Sequence, residues 1–127
     1  MKFLYLSNNG LRELPHSLHK LRNLIYINIS YNNFTALPES ISALANLVEL
    51  RIYDNSLVTL PDSLGNLVKL EELQAENNQL KTLPESSLPP YLSSLPHLEK
   101  LDVRLNKQLK APAWFRDLEK RGRSVFY

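Results

Sequence analysis

The stretch Leu47-Val48-Glu49-Leu50-Arg51-Ile52-Tyr53-Asp54-Asn55-Ser56-Leu57-Val58-Thr59-Leu60-Pro61-Asp62-Ser63-Leu64-Gly65-Asn66-Leu67-Val68-Lys69 decides the fold. Leu50 and Ile52 alternate with polar neighbours, the period-two mark of a half-buried strand, and the Leu64 to Leu67 spacing is one turn of helix. Asn55 falls where the strand must bend. The Leu60-Pro61 pair puts a proline at the expected first turn of the helix, where its missing N–H has no partner to lose. The same grammar flanks this stretch on both sides. Upstream, Leu24 opens Ile27, Ile29, Asn32, Phe34, Leu37-Pro38, Ile41 and Leu44, and Met1 opens Leu4, Leu6, Asn9, Leu11, Leu14-Pro15, Leu18 and Leu21. Downstream, Leu70 opens Leu73, Ala75, Asn78, Leu80 and Leu83-Pro84.

The openers Leu24, Leu47 and Leu70 are 23 residues apart, whereas Leu98 follows Leu70 by 28. Five residues are therefore inserted in the fourth unit, best placed at Ser87 to Tyr91. The fifth unit keeps Leu101, Val103, Asn106, Pro112, Phe115 and Leu118, with Leu109 one place late. These spacings divide a single domain, 1–127, into repeats 1–23, 24–46, 47–69, 70–97 and 98–120. A tail, 121–127, follows; Trp114, Phe115 and Val125 to Tyr127 are expected to close the last unit as a cap. Five parallel strands are expected near Leu4 to Leu6, Ile27 to Ile29, Leu50 to Ile52, Leu73 to Ala75 and Leu101 to Val103. Self-similarity at a fixed period is how a solenoid announces itself, because one unit cannot bury its apolar face alone.

Nine positions recurring over four to five units make the sequence resemble leucine-rich-repeat proteins of the 23-residue Leu-Pro class, including Ras-group and small bacterial ones. The resemblance covers Met1 to about Lys120. It implies an α/β, right-handed solenoid with parallel strands on the concave face and short helical or irregular segments on the convex face. It also implies that Asn9, Asn32, Asn55, Asn78 and Asn106 point inward and bond neighbouring backbone, since a buried amide without partners is costly.

The same resemblance sends the residues between the buried leucines to the concave surface. The first column is Phe3, Tyr26, Glu49, Glu72, Lys100; the second is Tyr5, Asn28, Arg51, Gln74, Asp102; the third is Ser7, Ser30, Tyr53, Glu76, Arg104. A rim column is Asn8, Tyr31, Asp54, Asn77, Leu105. Aromatics fill the first three units and mixed charge the last two. Tyr and Arg are enriched where interface energy concentrates, so Phe3, Tyr5, Tyr26, Tyr31, Arg51, Tyr53, Glu76 and Arg104 are the candidate partner-binding residues. Five strands ~4.8 Å apart and ~15 Å long project only ~300 Å², against about 800 Å² per partner in a standard interface. The surface suits a short segment of protein or peptide, or needs help from elsewhere on the molecule. The insert's Pro89-Pro90-Tyr91 resembles half of a WW-domain ligand without its spacer, and reads better as a stiff loop.

Catalytic chemistry finds little support. His16 and His19 share a turn, but no further ligand completes a zinc set there; His97 has no local partner. Ser17, Ser40, Ser63 and Ser86 recur after the prolines, which suits helix-start hydrogen bonding rather than a nucleophile. Three glycines, Gly10, Gly65 and Gly122, cannot build a phosphate-cradling loop. The chain is read as a non-enzyme without cofactor or metal.

Composition sets the remaining bounds. Fifteen Lys and Arg against thirteen Asp and Glu give +2, with no basic stripe of the kind that neutralises successive phosphates, so nucleic acid is not an expected partner. No run is long and apolar enough for a membrane span or a signal-peptide core. The absence of cysteine fits a reducing compartment, and a cytoplasmic protein is expected. The first unit has no cap, so a homodimer through the N-terminal edge is also expected, as is the alternative of a structural piece or a repeat fragment of a larger protein.

Overall fold

The computed structural model describes residues 1–84 and 92–127. Six strands form one sheet in sequence order: β1 (Phe3–Tyr5), β2 (Tyr26–Asn28), β3 (Glu49–Arg51), β4 (Glu72–Gln74), β5 (Lys100–Asp102) and β6 (Ser124–Phe126). Every neighbouring pair is parallel. The central residues Leu4, Ile27, Leu50, Leu73, Leu101 and Val125 stand in one row, which is the apolar row that drives the strands together. Strand assignments begin one residue earlier than expected, but the ladder runs on, with Leu6 N–H donating to Asn28 O and Ile52 N–H to Gln74 O.

The sixth strand was not expected from the repeat. Ser124–Phe126 continues the register of β5 after a 24-residue interval, Lys100 opposite Ser124 and Asp102 opposite Phe126. The tail thereby adds an edge strand to the sheet, carried there by α1 (Trp114–Lys120), the one α-helix among the described residues.

On the opposite side, 3-10 helices span His16–Lys20, Glu39–Ala43, Asp62–Asn66 and Leu92–Ser94. Their pitch follows from the leucine spacing. A 3-10 helix has three residues per turn, so side chains at i and i+3 eclipse, and Ile41, Leu44 and Leu47 all turn inward and are fully buried, as are Leu64, Leu67 and Leu70. Each step is fixed by an i+3 to i bond, for example Leu44 N–H to Ile41 O and Leu47 N–H to Leu44 O.

Two local expectations change here. The prolines stand just before the helices, in extended conformation, and serve as acceptors: Pro15, Pro38 and Pro61 oxygens each receive the N–H three residues on at 3.1 Å. Of the serines after them, Ser40 and Ser63 do not serve as helix-start hydrogen bonders. Ser63 Oγ instead donates to Glu39 at 2.6 Å and lies 2.8 Å from Ser42 Oγ, tying adjacent units, while Ser40 Oγ is buried without a partner. Ser86 and the insert Ser87 to Tyr91 lie outside the described residues.

The asparagine ladder runs from Asn32 to Asn106. Asn32 Nδ2 donates to Leu6, Ile29 and Ser30 oxygens, and its Oδ1 accepts from Asn9 and Leu11 N–H. Asn55, Asn78 and Asn106 repeat the pattern, their Oδ1 atoms accepting from Phe34, Leu57 and Leu80 N–H. The inward placement expected of Asn9 is not found: its side chain is exposed and donates only to the Leu6 and Ser7 oxygens of its own turn, because no earlier unit in the structure covers it. The buried core runs from Leu18 to Leu118, whereas Leu4, Leu6, Leu11, Leu14 and Leu21 are only partly covered.

Candidate functional site

Strand alternation projects one set of side chains away from the core, and the register stacks them into columns across the sheet. Phe3, Tyr26, Glu49, Glu72, Lys100 and Ser124 form one; Tyr5, Asn28, Arg51, Gln74, Asp102 and Phe126 form the next. Carbonyl bonds extend this stacking to the third and rim columns, with Tyr31 N–H donating to Tyr53 O, Asp54 N–H to Glu76 O and Asn77 N–H to Arg104 O.

At the N-terminal end the structure assembles an aromatic patch. The Tyr26 ring lies 4.9 Å from Tyr5 and 6.1 Å from Phe3, and the Arg51 guanidinium lies over it at 5.3 Å. Phe3 and Tyr5 remain 52% and 64% exposed, so this apolar surface faces solvent. Arg51 also pairs with Glu49. Partial burial pulls the guanidinium pKa down, but the Glu49 bond and charge, with lesser help from Tyr26 and Tyr53, outweigh it and hold the pKa above its ordinary value.

Tyr31 and Tyr53 make a second unit, edge to face at 5.6 Å. Tyr31 is exposed and sits at φ 54°, in the left-handed region. The whole rim column shares that backbone: Asn8, Asp54, Asn77 and Leu105 have φ between 51° and 62°. The chain needs this reversal to bring the next asparagine inward, and it swings the rim side chains outward.

The C-terminal end is charged. Arg104 donates from Nε and Nη2 to Asp102 at 3.0 and 2.6 Å and lies over the Phe126 ring at 5.0 Å; this bond and the Asp102 charge raise its pKa. Lys100 Nζ approaches the same ring at 5.9 Å. Glu76 lines a hollow of about 370 Å³ with Asp54, Asn77, Arg104 and Leu105. Burial raises the Glu76 carboxyl pKa; a bond to its own backbone opposes this, Asp102 adds to it, and Arg104 and Lys100 oppose it. Its Oε1 is shielded from solvent and has no hydrogen-bond partner.

The eight residues expected from sequence therefore fall into three contiguous groups: Phe3, Tyr5, Tyr26 and Arg51; Tyr31 and Tyr53; Glu76 and Arg104. Phe126 belongs to the last of these and was missed; its signal was Val125, one place past the 23-residue interval from Leu101. Asn28, Ser30 and Asp102 stand in the columns yet are buried beneath their neighbours. Asn28 Oδ1 accepts from Ser30 N–H at 3.0 Å and its Nδ2 donates to Tyr26 Oη at 3.3 Å, so these residues brace the patch and present little of themselves.

His16 and His19 are both exposed, and His19 Nδ1 bonds the His16 carbonyl. Among the described residues no group of three His, Cys, Asp or Glu could hold a metal ion, and no helix is long and apolar enough to cross a membrane.

The model of a leucine-rich repeat region matches residues 1–116. A search of the curated proteins gives no match. Among solved structures, a leucine-rich-repeat protein of Leptospira interrogans is 28% identical with TM-score 0.73, over 100% of this chain and 37% of that one. An internalin of Listeria monocytogenes is 22% identical with TM-score 0.77, over 99% and 34%; at that identity it speaks for the fold alone. The leucine-rich-repeat domain of the type III effector XopL is 26% identical with TM-score 0.64, over 91% and 48%. The chain thus spans between about a third and a half of the length of these proteins.

Proposed function

Because this chain belongs to the leucine-rich-repeat family, a family of protein-interaction modules, we propose that it binds a protein or peptide on its concave face through Phe3, Tyr5, Tyr26, Tyr31, Arg51, Tyr53, Glu76 and Arg104. The observation that carries this reading is the solvent-facing aromatic patch around Tyr26. Aromatic rings held on rigid strands offer large contact area at little entropic cost, and monomeric proteins seldom leave such patches bare. The proposed role is binding, and it rests on a surface that groups aromatics with paired charges. A cytoplasmic setting accompanies the proposal, because a chain without cysteine loses nothing in a reducing compartment.

The test is affinity capture with the unmodified chain beside a Tyr26→Ala/Arg51→Ala/Tyr53→Ala variant, followed by titration of each captured protein. The reading requires the triple variant to lose at least about tenfold in affinity, some 1.4 kcal/mol; equal affinities for every partner would end it.

A second reading rests on the incomplete burial of Leu4, Leu6, Leu11, Leu14 and Leu21. That surface, with the free edge of β1, is where a second copy would meet the first in a two-fold dimer. Light scattering at micromolar concentration tests it: a dimer that Leu4→Lys converts to monomer supports self-association, and a monomeric unmodified chain excludes it.

A further inference from the structure

The cations on the concave columns are held from within. Arg51 is engaged by Glu49 and Tyr26, Arg104 by Asp102 and Phe126, and Lys100 by the other approach to Phe126. Carboxylates outnumber them: Glu49, Asp54, Glu72, Glu76 and Asp102 stand against these three, in a chain whose net formal charge is +2. The surface that faces a partner is thus negative while the molecule is positive.

The excess lies in one place. Glu49 and Asp102 are neutralised by their arginines, which leaves Asp54, Glu72 and Glu76. Asp54 accepts from Asn77 Nδ2 and Glu72 from Gln74 Nε2, both neutral donors. Glu76 has an oxygen with no donor at all. A carboxylate oxygen that has lost water without gaining a donor is satisfied by an incoming ammonium or guanidinium, and the soft terminal torsion of the half-buried Glu76 can turn that oxygen toward the hollow the side chain lines. That hollow, about 370 Å³ between Asp54, Glu76 and Arg104, has room for one long basic side chain. Arg104 does not repel it strongly, because its charge is matched by Asp102 at 2.6 Å.

The other end of the surface asks for different chemistry. Phe3 and Tyr5, exposed beside Tyr26, cover an apolar side chain. From Tyr5 to Glu76 is three strand spacings across the sheet and two residues along it, about 16 Å, which an extended chain spans in about five residues.

Resting on the binding role above, we propose that the occupant is an extended segment of a partner protein that places an apolar side chain on Phe3, Tyr5 and Tyr26 and, about five residues away, a basic side chain between Asp54 and Glu76. The same charge distribution turns away nucleic acid and acidic peptides, whose anions would meet the unpaired carboxylates.

The probe is the hexapeptide acetyl-Leu-Ser-Ser-Ser-Ser-Arg-amide, titrated into the nitrogen-15-labelled full chain and followed by amide chemical shifts. Its isosteric citrulline analogue and the respaced acetyl-Leu-Arg-Ser-Ser-Ser-Ser-amide are the controls. Saturable shifts at both the Tyr5 to Tyr26 patch and at Asp54, Glu76 and Asn77 are expected, with affinity falling at least about fivefold for either control. Glu76→Gln, which keeps size and shape, is expected to erase the preference for arginine over citrulline while leaving the shifts around Tyr5 and Tyr26 in place. Equal affinities for arginine and citrulline, shifts elsewhere on the molecule, or no saturation would overturn the proposal. The two readings fail separately: a captured partner lost on Tyr26→Ala/Arg51→Ala/Tyr53→Ala but indifferent to Glu76→Gln keeps the binding role and removes the basic anchor.

Discussion

The carboxamide of Asn78 donates to Ile52, Ala75 and Glu76 oxygens and accepts from Leu57 N–H, spanning two repeats from a buried position. Truncation leaves several buried backbone groups without partners, each worth roughly 1 to 3 kcal/mol. Asn78→Ala is therefore expected to cost at least about 2 kcal/mol in urea unfolding, far more than the exposed Asn9→Ala, whose bonds stay within its own turn. Leu105 offers the opposite case. It occupies the left-handed region at φ 62° with 68% of its surface exposed, so it has strain and little burial to show for it. The same column carries Asn8 and Asn77, a residue type that tolerates this backbone. Leu105→Asn is expected to stabilise the fold by about 0.5 to 1 kcal/mol, read as a rise of a few degrees in melting temperature. Glu76 gives a pH signature. Its folded pKa is raised from its ordinary value, chiefly by burial. The folded state then binds a proton more readily than the unfolded chain, so stability is fully present below the unfolded pKa and is lost as pH rises through the folded one. Glu76→Gln should be the more stable protein at pH 7, with the difference shrinking as pH falls through the ordinary glutamate range; a pH-independent difference would contradict this.

At the scale of elements, the α1 and β6 pair closes the sheet in a way no repeat does. Phe115 and Leu118 of α1 are buried, and Phe115 meets the Tyr127 ring at 5.0 Å while Tyr127 Oη donates to Glu119 at 3.1 Å. The strand supplies the last ladder bonds, Val103 N–H to Phe126 O and Ser124 N–H to Glu99 O, both 2.8 Å. Deletion of residues 121–127 is expected to lower the melting temperature by several degrees, because it removes those bonds, uncovers one side of Phe115 and takes Phe126 from beneath Arg104. An unchanged melting temperature would show that the tail caps nothing.

At the scale of the whole molecule, stability is a chain of nearest-neighbour terms, since every strand pairs only with the strands before and after it. A central defect therefore weakens two interfaces at once. Leu50, fully buried in the middle unit, should cost about 2 to 5 kcal/mol on Leu50→Ala. The partly exposed Leu4, its counterpart in the first unit, should cost clearly less on Leu4→Ala; similar losses in paired denaturation curves would argue against the additive picture.

The repeat itself was legible from spacing. Leucines three apart admit one inward-facing turn, alternation at Leu50 and Ile52 admits one strand, and a fixed interval of 23 admits one way to stack them. Those are local constraints, set by side-chain size and backbone periodicity; the parallel order, the inward asparagines and the columns came from the resemblance to leucine-rich repeats, and exposed Asn9 departs from it. Spacing did not distinguish a 3-10 turn from an α-helical one, because both allow an i+3 pair, nor place the prolines outside the turn as carbonyl acceptors. Tertiary structure alone decided what depends on neighbours distant in sequence. Ser124-Val125-Phe126 has little of its own to make it a strand and becomes one because β5 presents an open edge. Asp102 is a surface residue by its column and a buried one because Arg104 and Phe126 close over it. Glu76 reads as one more surface carboxylate, and only the packing around it strips one oxygen of both water and donor.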